Sequence, residues 1–187
     1  MKTIFKLMLV LLMLPMAVSA QTKRANATAT SFVLTPEKLG PIQIGKPITA
    51  VPKNHKGLYD KYVLKKETFA DEDGEWTETY YYFYKAGKKI FSVTINDEDK
   101  TITSITLLPG SSFIKTKEGF YVGYSARELF KKKKMEWTTY FQGEVFTINQ
   151  QFTYFVSSDD VTTDIPTKAT DFKPNAKISK ITISASE

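Results

Sequence analysis

The chain has no cysteine and a single histidine, His55. The first absence removes disulfides, thiol nucleophiles and thiolate metal sites, and with them any lipid-modified cysteine. A Ser-His-acid triad would have to be built on His55 with a serine in a strained elbow, and no Gly-x-Ser-x-Gly occurs. Phosphate-cradling glycine loops and dinucleotide fingerprints are missing as well. The one long uncharged stretch, Leu7 to Ala20, is 14 residues, short of the roughly 20 apolar residues a membrane span needs. Preceded by Lys2 and Lys6 and closed by Ala17-Val-Ser-Ala20, it reads as a secretory signal. Cleavage after Ala20 is expected to leave Gln21 first in a soluble, exported bacterial protein without a membrane span. Periplasmic and extracellular destinations both fit.

Charge excludes another class. The net charge of +6 falls to +4 without residues 1–20, and the basic residues lack the strong clustering that nucleic-acid binding demands. Gln21 to Ser31 is small, polar and aperiodic, a flexible leader taken to run to residue 37. Asn26-Ala-Thr28 matches a glycosylation acceptor by spacing alone.

What the chain does have is an internal echo. Pro41-Ile-Gln-Ile-Gly-Lys-Pro-Ile-Thr-Ala-Val-Pro52 returns as Gly119-Phe-Tyr-Val-Gly-Tyr-Ser-Ala-Arg-Glu-Leu-Phe130, aligning Gly45 with Gly123 and Val51 with Leu129. Ile102-Thr-Ser-Ile-Thr-Leu107 returns as Ile178-Ser-Lys-Ile-Thr-Ile183. Each copy predicts a short strand ended by glycine and then a helix, started by Pro47 in the first and by the Ser125/Glu128 capping box in the second. Lys131 to Lys134 fall in the last turn of the second helix, as a solvated run that complements the dipole.

Alternating stretches bounded by turns then predict two antiparallel meanders. The first comprises Leu58 to Phe69, Trp76 to Tyr84, Lys89 to Ile95 and Thr101 to Leu108; the second comprises Met135 to Phe141, Glu144 to Asn149, Phe152 to Val156 and Lys177 to Ser184. A long loop is expected over Asp159 to Asn175. The resulting expectation is an α+β fold of two tandem repeats, 38–112 and 113–187, each a strand and helix followed by a meander.

The paired Ile-x-Ile-Gly-x-Pro and Val-Gly-x-Ser-x-x-Glu-Leu segments, each followed by a meander, resemble the helix-then-hairpin repeats of the β-lactamase inhibitor protein class. They are also similar to those of small envelope proteins of the SmpA/OmlA type. Val51-Pro-Lys-Asn-His-Lys-Gly-Leu-Tyr-Asp60 resembles uncharacterised secreted proteins of Bacteroides-type bacteria. The resemblance spans about residues 38 to 184 and rests on a fold signature. It implies two packed repeats whose sheet presents a binding surface, although the inhibitor class's disulfides are lacking here.

Candidate functional residues come from aromatic density. In a strand, Tyr80, Tyr82 and Tyr84 share one face while Tyr81 and Phe83 share the other, so one face is expected in the core; the other is either covered by helices or by the second repeat, or visible to a partner or a stacked glycan. Tyrosine suits such contacts, having a large apolar area and a polar tip. The loop holding His55, Tyr59 and Asp60 is the second candidate surface. Asp71-Glu-Asp-Gly-Glu75 alternates carboxylates as calcium loops do, but the positions after Glu75 turn strand-like, which favours a polar hairpin tip. The expectation is a secreted, non-enzymatic binding or inhibitory module that recognises a protein or envelope component without a cofactor or metal. An envelope-assembly accessory is the alternative, and a carboxylate-based hydrolase the third reading. Oligomeric state is not legible.

Overall fold

Among the described residues the longest pairing is a hairpin, in which the arm from Gly74 to Lys85 alternates and buries one face. A computed structural model describes residues 32–71, 74–133, 136–140, 144–149 and 152–185. The signal and residues 21–31 of the leader, Glu72 and Asp73 of the acidic tip, and Lys134 of the lysine run lie outside them.

Strands β1 (Phe32–Leu34), β2 (Lys38–Leu39) and β3 (Ile42–Gln43) form a small sheet. A single 3₁₀ turn, Ile48–Ala50, follows. Next come β4 (Lys61–Asp71), β5 (Gly74–Lys85), β6 (Lys88–Ile95) and β7 (Ile102–Leu107), paired antiparallel in succession. Strand β8 (Ile114–Thr116) joins the small sheet parallel to β1, giving the order β3-β2-β1-β8. Helix α1 (Ala126–Lys132) then leads to β9 (Thr138–Tyr140), β10 (Glu144–Asn149), β11 (Phe152–Ser157) and β12 (Ile178–Ser184). Because β7 pairs with β12, both meanders merge into one eight-stranded sheet of order β4-β5-β6-β7-β12-β11-β10-β9.

This corrects the expected α+β architecture. The protein is mostly β, and α1 is the one α-helix among the described residues. The helix predicted after Pro47 fails for a local reason. Val51 precedes Pro52 and is held extended, at φ −78° and ψ 126°, since a residue before proline is excluded from the helical region. That leaves Ile48–Ala50, too few residues to propagate a helix. In α1 no proline intervenes, and the Ser125 side chain accepts from the Glu128 N–H at 3.4 Å. The sequence echo instead marks a shared backbone contact. The Gly45 N–H donates to Ile102 O and the Ile102 N–H to Lys46 O, at 2.8 and 2.9 Å; the Gly123 N–H donates to Ile178 O and the Ile178 N–H to Tyr124 O, also at 2.8 and 2.9 Å.

One face of the large sheet is the core. Across it the register aligns Phe83, Phe91, Leu107, Ile181 and Tyr154, each with 0% exposure. The small sheet, the 52–60 loop and α1 cover this face, adding Leu34, Leu39, Ile42, Leu58 and Leu129 to the same cluster. Residues 158–176 hold two 3₁₀ turns and no strand. They are pinned by Asp171, whose Oδ2 accepts the N–H groups of Thr167 and Lys168 at 2.9 and 3.1 Å. Bulges at Phe83/Tyr84, Thr94/Ile95 and Phe155/Val156 increase the twist and bend the sheet.

Candidate binding face

The alternation in β5 is as expected. Phe83 is in the core, Tyr81 is half-buried against Tyr62 at 5.8 Å, and on the opposite face Tyr80 and Tyr84 are half-buried while Tyr82 is buried at 8% exposure. Register decides what joins them. Asp71 pairs with Gly74, which sets Glu67 opposite Glu78, Phe69 opposite Trp76, and Lys65 opposite Tyr80. Farther across the same face Tyr82 aligns with Ser92, Thr106 and Thr182, and the hydroxyls of the two threonines meet at 2.9 Å.

Of these side chains, Glu67, Phe69, Trp76, Glu78, Tyr80 and Tyr82 line a groove of about 390 Å³, and Tyr84 lies outside it. Its walls include Phe69 and Trp76 at one end and Phe155 and Lys180 at the other. Strands β4 and β11 stand five strand intervals apart, roughly 24 Å in a flat sheet, so the sheet bows to bring both ends to one hollow.

The β4–β5 end is aromatic and acidic. Phe69 stacks on Trp76 at 5.7 Å, Tyr80 meets Phe69 edge-on at 6.3 Å, and Tyr80 stacks on Tyr82 at 5.8 Å. The Tyr82 hydroxyl donates to Glu67 Oε1 at 2.8 Å, the Trp76 indole N–H donates to Glu78 Oε1 at 3.2 Å, and the Tyr80 hydroxyl donates to Glu78 Oε2. Burial, followed by the hydrogen bond to its glutamate, pushes each of these tyrosine pKa values well above the ordinary phenol range. Both hydroxyls therefore remain donors at neutral pH. Lys89 Nζ lies 4.0 Å over the Tyr82 ring. At the opposite end Lys180 pairs with Glu144 at 2.6 Å.

His55, Tyr59 and Asp60 are not brought to this groove. They belong to the loop on the covered side, where the His55 N–H donates to Tyr59 O at 3.0 Å and the Tyr59 N–H donates back to His55 O at 3.1 Å. Tyr59 is 1% exposed, edge-on to Phe83 at 4.8 Å, and its hydroxyl donates to Pro52 O at 2.7 Å. It is a core residue, because its ring fills the space between the loop and the sheet. His55 lies 5.9 Å from Phe32, and its Nδ1 is buried with no hydrogen-bond partner among the described residues. Asp60 is exposed and holds the turn after β5, its Oδ2 accepting the Ala86 N–H at 2.6 Å. The lysine run is also engaged locally: Lys131 pairs with Glu128 at 2.8 Å, Lys133 pairs with Glu118, and Lys132 Nζ lies 5.3 Å over Tyr124.

Sequence reasoning passed over Glu67, Phe69, Trp76 and Glu78. The available signal was hairpin register, since pairing Asp71 with Gly74 fixes every other pair along β4 and β5. The far wall, Phe155 and Lys180, carried no local signal because it comes from strands that are distant in sequence.

No protein-family model matches the chain, and no curated protein matches it. Among solved structures it is similar in fold to the uncharacterized protein yfeY from Escherichia coli, with a TM-score of 0.57 and 17% identity, covering 82% of this chain and 99% of that one.

Proposed function

We propose that the protein is an exported, non-enzymatic binding module that recognises a protein or envelope component through the uncovered face of its large sheet. The observation that carries this reading is the groove centred on Trp76, Tyr80 and Tyr82, in which large rings stand on a face that no other described element covers. Trp76 is 38% exposed, unusual for a residue that gains most from burial. Exposed aromatic groups rimmed by polar ones mark interaction surfaces. Export rests on the composition of residues 1–20.

Side-by-side capture from a native bacterial envelope fraction tests the reading, using the wild-type chain and Trp76→Ala as baits with quantitative mass spectrometry. At least one partner is expected to be retained by the wild type and lost from the variant. Identical partner sets from the two baits would contradict it.

A further inference from the structure

We infer that the acidic-aromatic end of the groove is a receptor for a cationic side chain, a guanidinium or ammonium group carried by a basic segment of the partner. This inference rests on the proposed use of the face and specifies the chemistry of what it takes.

Glu67 and Glu78 lie directly opposite one another in register. Like charges so placed repel and weaken a sheet pair, so the arrangement costs stability unless something neutralises it. Among the described residues neither carboxylate forms an ion pair with a Lys or Arg; Lys65 stands opposite Tyr80 on this face and Lys89 sits over the Tyr82 ring rather than on either carboxylate. The other acid on this face, Glu144, is paired with Lys180. The carboxylates on this face without an ion pair are thus those at the β4–β5 end. Neutral donors hold both carboxylates in place, with Tyr82 on Glu67 and with Tyr80 and Trp76 on Glu78.

The surrounding rings complete a cation site. Phe69, Trp76, Tyr80 and Tyr82 stand around the two carboxylates on the same face. Aromatic faces attract cations, most strongly where water is displaced, and the chain's own Lys89 makes such a contact at 4.0 Å from Tyr82. A planar guanidinium can donate to a carboxylate on each edge while its face lies against a ring. A neutral glycan could stack on Trp76, but it would leave the paired negative charge unanswered.

The test is a titration followed by tryptophan emission, because Trp76 lies in the groove while Trp137 is 3% exposed in the core. The probes are acetyl-tetra-arginine amide, its tetra-citrulline counterpart, which keeps shape and loses charge, and chitotetraose. Saturable binding of the arginine peptide is expected, with the citrulline peptide at least about tenfold weaker and both Glu67→Gln and Glu78→Gln losing about tenfold, the scale of one charge-assisted contact. Circular dichroism verifies that the variants are folded. Equal binding of arginine and citrulline peptides, tight arginine binding by both variants, or a response to chitotetraose alone would overturn the inference. A partner lost with Trp76→Ala but retained by both Glu→Gln variants overturns the charge reading and leaves the face standing. Capture unaffected by all three substitutions removes the face itself.

Discussion

Raising the pH should expose the structural role of Tyr59. Burial, with a smaller contribution from Tyr62, pushes its phenol from 10.0 up to about 12. A group whose folded pKa is raised favours the protonated form in the fold. Its contribution is therefore complete below pH 10 and is lost as pH rises through about 12. With one unit equal to about 1.36 kcal/mol, the loss is on the order of 1 kcal/mol at pH 11 and on the order of 2 kcal/mol at pH 12. Other tyrosines with raised pKa values contribute as well, so the informative quantity is the difference between the wild type and Tyr59→Phe. At pH 9 the variant should be less stable by about 1 kcal/mol, because Pro52 O loses its donor. By pH 11 that deficit should vanish, since the variant has no phenol at 59 to ionise. Urea unfolding at pH 9, 10 and 11, with phenolate absorbance to confirm ionisation, measures the difference. A deficit that stays constant across this range would refute the assignment of Tyr59 to the core.

Three further substitutions have expected outcomes. Trp76→Ala should leave the fold intact, losing about 0.5–1.5 kcal/mol of stability with the Phe69 stack, as read by thermal melting. The same change should weaken partner binding about 30-fold, because the 38% of the indole still exposed is roughly 90 Å², worth about 2 kcal/mol on burial. Phe83→Ala should cost about 3–5 kcal/mol, since the ring is 0% exposed and stacks on Phe91 at 4.4 Å; chemical denaturation reads the loss. Gly40→Ala should destabilise by at least about 1–2 kcal/mol, as φ is +56° and a Cβ would stand 2.9 Å from Leu58 Cδ2; the melting temperature reports it.

Strands were legible in this sequence because alternation is a local property. Lys88–Ile95 and Glu144–Asn149 fall almost where Lys89 to Ile95 and Glu144 to Asn149 were expected, and the division of Tyr80 to Tyr84 between two faces follows from a period of two. The fold class was not legible. Glycine and proline around Gly45 to Pro52 resemble helix punctuation, yet Pro52 leaves room for one 3₁₀ turn. The site was half legible. Tyr80, Tyr82 and Tyr84 announced a face, but its acidic floor required the β4–β5 register, and its far wall required the pairing of β7 with β12. Tyr59 misled because a tyrosine beside Gly57 and Asp60 reads as surface, whereas its burial depends on packing against Phe83 and Phe91.

The central claim is that recognition occurs on the uncovered face, and adjacent positions of one strand can separate the two faces. Trp76 points into the groove and Thr77 points to the opposite side, where its hydroxyl meets Thr68 at 3.1 Å. A photoreactive benzoylphenylalanine placed at either position, followed by illumination in the native envelope, tests the claim directly. Cross-links to a partner are expected from position 76 and not from position 77. Equal yields from both positions, or cross-links from 77 alone, would contradict the account.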